Sequence, residues 1–203
     1  MRGLYLITND DPIQLLLEKL AVALATGQIA ILQYRRKNVA KIEQPFEVEQ
    51  IKALCEKYQV PLVINDDVTL AASFGLGVHL GQSDGEISDA LQRLQPNVII
   101  GRTCLNSLEL AEKALAEGAT YVAFGAVYAT STKPEAGTVS IDIIQKAKQQ
   151  FDVPICVIGG LTVENAQVVI NAGASLCAVI SDILGRSTAE IPARVNAWAK
   201  LFT

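Results

Sequence analysis

Arg35 and Lys37 stand two positions apart in "LQYRRKN", and Gln33 precedes them by two more. In an extended segment alternate side chains share a face, so these three form a row of two cations and an amide whose natural counterpart is phosphate. Arg35 and Lys37 read equally well as surface charges. Arg36 points the other way, toward helices or solvent, and reads as a surface charge. Further on, "NDD" groups Asn65, Asp66 and Asp67, and "GQSD" adds Asp84. Two carboxylates close to cations suit Mg²⁺ bound with a phosphorylated substrate, because that ion takes one or two protein carboxylates and completes its shell with water and phosphate oxygens. Asp66 and Asp84 are the candidate ligands. The alternative is that Asp66 or Asp67 caps the helix that follows.

A third concentration of polar groups lies in "FGAVYATSTKPEAG", where an apolar run ends at Gly125 and Thr130, Thr132 and Lys133 crowd ahead of Pro134. That spacing suits neither strand nor helix and predicts a loop. Two more apolar runs end in "IGG" at 158–160 and "VISD" at 179–182, where backbone N–H groups can hold a phosphate that glycine lets approach closely. The chain has one histidine, His79, and no His or Cys cluster that would make a zinc site or a nucleophile–base pair with it, so His79 reads as structural. Cys55, Cys104, Cys156 and Cys177 show no C-x-x-C spacing and read as reduced, small hydrophobes. Trp198, in the last helical pattern, reads as packing.

These groups need elements to hold them. Short β-rich apolar runs recur at 4–8, 29–34, 61–65, 77–81, 98–102, 121–125, 154–159 and 176–181. Helical patterns lie between them, such as "DPIQLLLEKLAVALATG", "FEVEQIKALCEKYQ", "SLELAEKALAEG", "SIDIIQKAKQQF" and "TVENAQVVINAG", several closed by Gly, with a last helix over roughly 188–201. Eight β-α units in 203 residues predict a small α/β protein with a single (β/α)8 TIM barrel over residues 1–203, in preference to an open doubly wound sheet. In such a barrel the working groups sit where strands end, and the polar stretches above all follow predicted strands.

The chain is half hydrophobic with a net charge of −4, which gives no electrostatic footprint for nucleic acid or an anionic membrane. No apolar run reaches the roughly 18 residues of a membrane span, and "MRGLYLITNDD" has no signal-peptide pattern. The expectation is a soluble, cytoplasmic protein. Barrel helices can form a homo-oligomer face, although no patch specifies one.

Taken in order and spacing, "QYRRK", "ND", "GVHLGQSD", "FGAVYATSTK", "IGG" and "VIS" resemble the thiamine-phosphate synthase family along nearly the whole chain. The resemblance implies a (β/α)8 barrel that joins hydroxymethylpyrimidine diphosphate to thiazole phosphate, releases diphosphate and requires Mg²⁺. It places Gln33, Arg35, Lys37, Asn65 and Lys133 around the pyrimidine diphosphate, with Thr103 where the family has a serine near the same substrate. Asp66 and Asp84 fall on the metal. Thr130, Thr132, Gly160, Ile180 and Ser181 fall on the thiazole phosphate. Arg35, Lys37, Thr103 and Lys133 are the implied catalytic set. Three positions depart from the family pattern: Arg36 replaces an acidic residue, Thr103 a serine, and Leu105 stands where a histidine is common. The related thiazole tautomerases rely on a histidine near Leu105 and lack the carboxylates of "ND" and "GQSD". A tautomerase-like enzyme and a non-catalytic binder of thiamine precursors are the rival readings.

Overall fold

The computed structural model describes residues 1–128 and 139–203. Thr130, Thr132 and Lys133 lie outside the described residues. Eight parallel strands, β1 Gly3–Ile7, β2 Ile29–Tyr34, β3 Leu62–Asn65, β4 Gly77–Leu80, β5 Ile100–Thr103, β6 Tyr121–Gly125, β7 Ile155–Ile158 and β8 Leu176–Val179, pair in sequence order and close when β8 joins β1. This is the expected (β/α)8 barrel. Around it lie α1 Ile13–Leu24, α2 Gln44–Tyr58, α3 Val68–Phe74, α4 Ile87–Arg93, α5 Leu108–Ala116, α6 Ile141–Gln150, α7 Ala166–Asn171, α8 Ser181–Leu184 and α9 Ile191–Lys200.

Alternation along the strands divides the core in two. Leu4, Leu6, Leu32, Val122, Phe124 and Val157 pack outward against the helices. Tyr5, Ile7, Ile31, Val63, Tyr121, Ala123, Cys156, Leu176 and Ala178 fill the barrel interior. The small side chains of Ala123, Cys156 and Ala178 leave room above the packed layers. All four cysteines are free and buried, as expected, and burial pushes the thiols of Cys55, Cys104 and Cys177 up to about 12. They are inert core residues at neutral pH.

Two expectations change at element ends. The eighth strand stops at Val179, and Ser181 opens the short helix α8; the apolar "AVIS" run does not signal this turn. Asp182 explains it: its carboxylate accepts from Arg194 Nε at 2.9 Å and Trp198 Nε1 at 2.7 Å, both on α9. Trp198 therefore packs, being fully buried, and also ties α9 to the end of β8. The fifth strand begins at Ile100, two residues later than expected.

Candidate active site

At the C-terminal ends of the strands lies a cavity of about 520 Å³. Its lining includes Gln33, Arg35, Lys37, Asn65, Asp66, Asp84, Thr103, Gly160, Ile180 and Ser181, which are the sequence-derived site residues within the described part of the chain. The fold thus collects in one place side chains spread over almost 150 positions.

The row on β2 forms as alternation requires. Beyond the strand end its path is held by Thr8, whose hydroxyl accepts from Arg35 N at 2.7 Å and donates to Arg35 O at 3.1 Å. This keeps residue 35 extended and its side chain on the cavity side. Arg36 points outward, but the expectation of a surface charge is wrong. It is 6% exposed, its Nε and Nη2 donate to the two Glu47 oxygens at 3.1 and 2.9 Å, and Nη1 donates to the carbonyls of Asn9 and Asp11. Tyr34 OH donates to the same carboxylate at 2.8 Å. Arg36 locks the end of β2 to α2 and to the β1–α1 loop, and it leaves the cavity to Arg35 and Lys37.

The two aspartates after β3 separate cleanly. Asp67 caps α3, accepting from Leu70 N at 2.9 Å. Asp66 takes a left-handed conformation with φ of 64° and lines the cavity. Its carboxyl is pushed above its ordinary value, first by burial and then by the Asp84 carboxylate facing it, with Lys37 opposing the shift. Lys37 Nζ stands 3.4 Å from Asp66 Oδ2. Asp84 is oriented by Gly81 N, which donates to its Oδ2 at 2.9 Å. Two facing carboxylates in a part-buried mouth are a mutual cost that a divalent cation relieves, and the pair fits Mg²⁺ with water and phosphate completing the shell. No group of three or more His, Cys, Asp or Glu suited to a metal occurs among the described residues, so the arrangement does not resemble a closed all-protein cage.

On the far arc of the mouth, Gly159, Gly160, Ile180 and Ser181 line the cavity. Gly160 adopts φ of 61°, and Asn165 Nδ2 donates to its carbonyl at 2.9 Å, fixing the turn after β7. Sequence reading missed several lining residues: Tyr5, Ile7, Gln82, Thr162 and Asp182. For Tyr5 the signal was present, since alternation in "GLYLI" turns Tyr5 and Ile7 inward together. His79, read as structural, also lines the cavity. Its Nδ1 lies 2.7 Å from Tyr121 OH and its Nε2 2.9 Å from Thr103 Oγ1.

The chain matches the thiamine monophosphate synthase family over residues 4–183. Among solved structures it is similar to a thiamine phosphate pyrophosphorylase from Pyrococcus furiosus, with a TM-score of 0.86 and 28% identity over 98% of this chain and 95% of that one. It is also similar to a thiamine phosphate pyrophosphorylase from Bacteroides thetaiotaomicron, with a TM-score of 0.69 and 16% identity over 98% and 96%. A third is (S)-3-O-geranylgeranylglyceryl phosphate synthase from Thermoplasma acidophilum in complex with sn-glycerol-1-phosphate, with a TM-score of 0.72 and 14% identity over 99% and 92%. The last two likenesses are of fold alone. With a family match along nearly its whole length, this chain belongs to the thiamine monophosphate synthase family, transferases of thiamine biosynthesis.

Proposed function

We propose that the protein joins 4-amino-2-methyl-5-(diphosphomethyl)pyrimidine to 4-methyl-5-(2-phosphoethyl)thiazole, giving thiamine phosphate and diphosphate, with Mg²⁺ as cofactor. The observation that carries this reading is the division of the barrel mouth. Cations and paired carboxylates stand on the β2–β4 arc, and glycine-rich backbone with Ser181 stands on the β7–β8 arc opposite, around one cavity. Such a mouth suits two phosphorylated substrates held face to face.

Gln33 and Asn65 contact the aminopyrimidine, and Arg35 and Lys37 hold diphosphate oxygens. Asp66 and Asp84 hold Mg²⁺, which when bound supplies neutralisation of the charge gathering on the departing diphosphate. The C–O bond breaks with its electron pair leaving on diphosphate, and the electron-rich ring bears the positive charge of a carbocation-like centre. The thiazole nitrogen then donates its lone pair to that carbon. No proton is removed, so no strong general base is required, and the cavity's complement of cations and hydroxyls is adequate. Gly160 and the Ile180–Ser181 backbone hold the thiazole phosphate and align the nitrogen, which lowers the barrier through proximity. Thr130 and Thr132 act on the same phosphate, and Lys133 on the pyrimidine diphosphate.

A coupled assay for diphosphate release tests the reaction. Turnover is expected only with both substrates and Mg²⁺ together. Thiazole isomerisation without metal would establish the tautomerase reading, and tight binding without turnover the binder reading. Leu105 lines the cavity and has no group to move a proton, which supports the synthase over the tautomerase.

A further inference from the structure

Along the floor of the cavity five polar side chains from five strands form an unbroken line, four of them in its lining. Gln33 Nε2 lies 2.8 Å from Tyr5 OH, and Tyr5 OH lies 2.8 Å from Tyr121 OH. Tyr121 OH lies 2.7 Å from His79 Nδ1, and His79 Nε2 lies 2.9 Å from Thr103 Oγ1. Gln33, Tyr5 and Tyr121 are each no more than 3% exposed, and burial pushes both phenols up, so each keeps its single proton. The line has been given room: a Cβ on Gly101 would stand 2.0 Å from Tyr121 Cζ.

Proton counting gives the line one direction. An amide nitrogen only donates, so Tyr5 accepts from Gln33; its own buried proton then has Tyr121 OH as the remaining partner among the described residues, and donating there avoids leaving it unpaired. Tyr121 in turn donates to His79 Nδ1, which must carry a lone pair. The ring proton then sits on Nε2 and points at Thr103 Oγ1. The Thr103 hydroxyl, already accepting, has its own proton left for the cavity. The reverse direction would need the oxygen of Gln33 turned toward Tyr5, or the buried Tyr5 proton left without an acceptor.

We propose that this line is a one-way hydrogen-bond relay in which Tyr121 and His79 act as positioning residues, holding His79 as the neutral Nε2–H tautomer and obliging Thr103 to donate to an acceptor atom of the substrate. Which acceptor it meets, a diphosphate oxygen or a pyrimidine ring nitrogen, rests on the function proposed above. The relay itself does not.

Because His79 is the chain's only histidine, a long-range ¹H–¹⁵N spectrum of ¹⁵N-histidine-labelled protein at neutral pH reports this one ring. A single Nε2–H tautomer is expected. An Nδ1–H tautomer, or an averaged mixture, overturns the relay. In Tyr121→Phe, which keeps the ring and loses the proton donor, the spectrum should move toward a mixture; an unchanged tautomer overturns the role given to Tyr121. Kinetics give a second readout. Thr103→Val and Tyr121→Phe should each lower kcat/KM by roughly tenfold, the scale of one lost hydrogen bond. The double variant should fall no further than about twofold below the worse single, because both act through one group. Additive losses overturn the relay. A wild type that releases no diphosphate would sink the proposed reaction, while the tautomer would still decide the relay.

Discussion

Asp66 is held where a carboxylate is uncomfortable. Its backbone sits in the left-handed region, which costs a non-glycine residue about 1–2 kcal/mol, and its charge faces Asp84 in a part-buried mouth. Unlike Gln59, whose left-handed backbone ends α2, Asp66 combines that conformation with a buried charge facing a like charge, a combination that suits a binding position. The carboxyl's folded value lies above its ordinary value of 3.8, so the folded state binds the proton more tightly than the unfolded state. Stability therefore falls as pH rises from 3.8 through the folded value, and stays lower above it. Asp66→Asn should raise the Tm of metal-free protein by a few degrees at neutral pH and abolish the Tm increase given by Mg²⁺. Asparagine also tolerates the left-handed region better, an advantage that does not vary with pH. The part of the gain due to charge should thus shrink as pH is lowered through the carboxylate range. Melts showing a lower Tm in the variant at neutral pH, or a retained Mg²⁺ response, would show that the pair is not the metal site.

At the scale of elements, what was legible in the sequence depended on whether the signal was local. The row Gln33, Arg35, Lys37 was readable because period-two alternation needs only the strand itself. The strands were readable as short apolar runs, because strands buried on both faces carry their signal within the strand itself. Asp66 is the chosen candidate ligand, but which of Asp66 and Asp67 caps α3 stays open in the sequence, since that depends on the turn taken after β3. Seven-residue helices such as α3 and α4 are too short for a 3.6-residue repeat to announce itself. Arg36 was misread because its partner Glu47 stands 11 positions away on another element, and the two meet only when α2 packs against the barrel. That pair now gives an expectation about the β2–α2 unit. Glu47→Ala leaves Arg36 buried without its carboxylate and should cost about 3–5 kcal/mol in denaturant unfolding. Replacing both residues together, Arg36→Met with Glu47→Leu, should recover part of that loss, because two apolar chains of similar volume need no partner, while the buried Tyr34 hydroxyl still loses its acceptor. A cost below about 1 kcal/mol for the single variant would mean that the pair does not hold the end of β2.

In the whole molecule, the tightly packed base and the polar cavity occupy opposite ends of the barrel. The cavity, the carboxylate pair and the cation row all lie past the C-terminal ends of the strands. The N-terminal ends are closed by backbone packed too tightly for added atoms: a Cβ on Gly77, at the start of β4, would stand 2.2 Å from the carbonyl oxygen of Ile99, which already accepts from Val78 N at 2.9 Å. A methyl there must displace a strand, whereas Lys37, with a 54% exposed side chain and an ion pair at 3.4 Å, can be removed from the rim with little change in packing. Gly77→Ala should therefore lose about 1–3 kcal/mol of stability, while diphosphate release per folded molecule stays near wild type. Lys37→Ala should do the reverse, holding stability within about 1 kcal/mol and losing turnover. Parallel denaturant unfolding and single-turnover assays separate the two. If Gly77→Ala lost activity in its folded fraction, strain at the base would be reaching the mouth through the strands, and the barrel would have to be treated as one mechanical unit and not as a scaffold carrying an independent site.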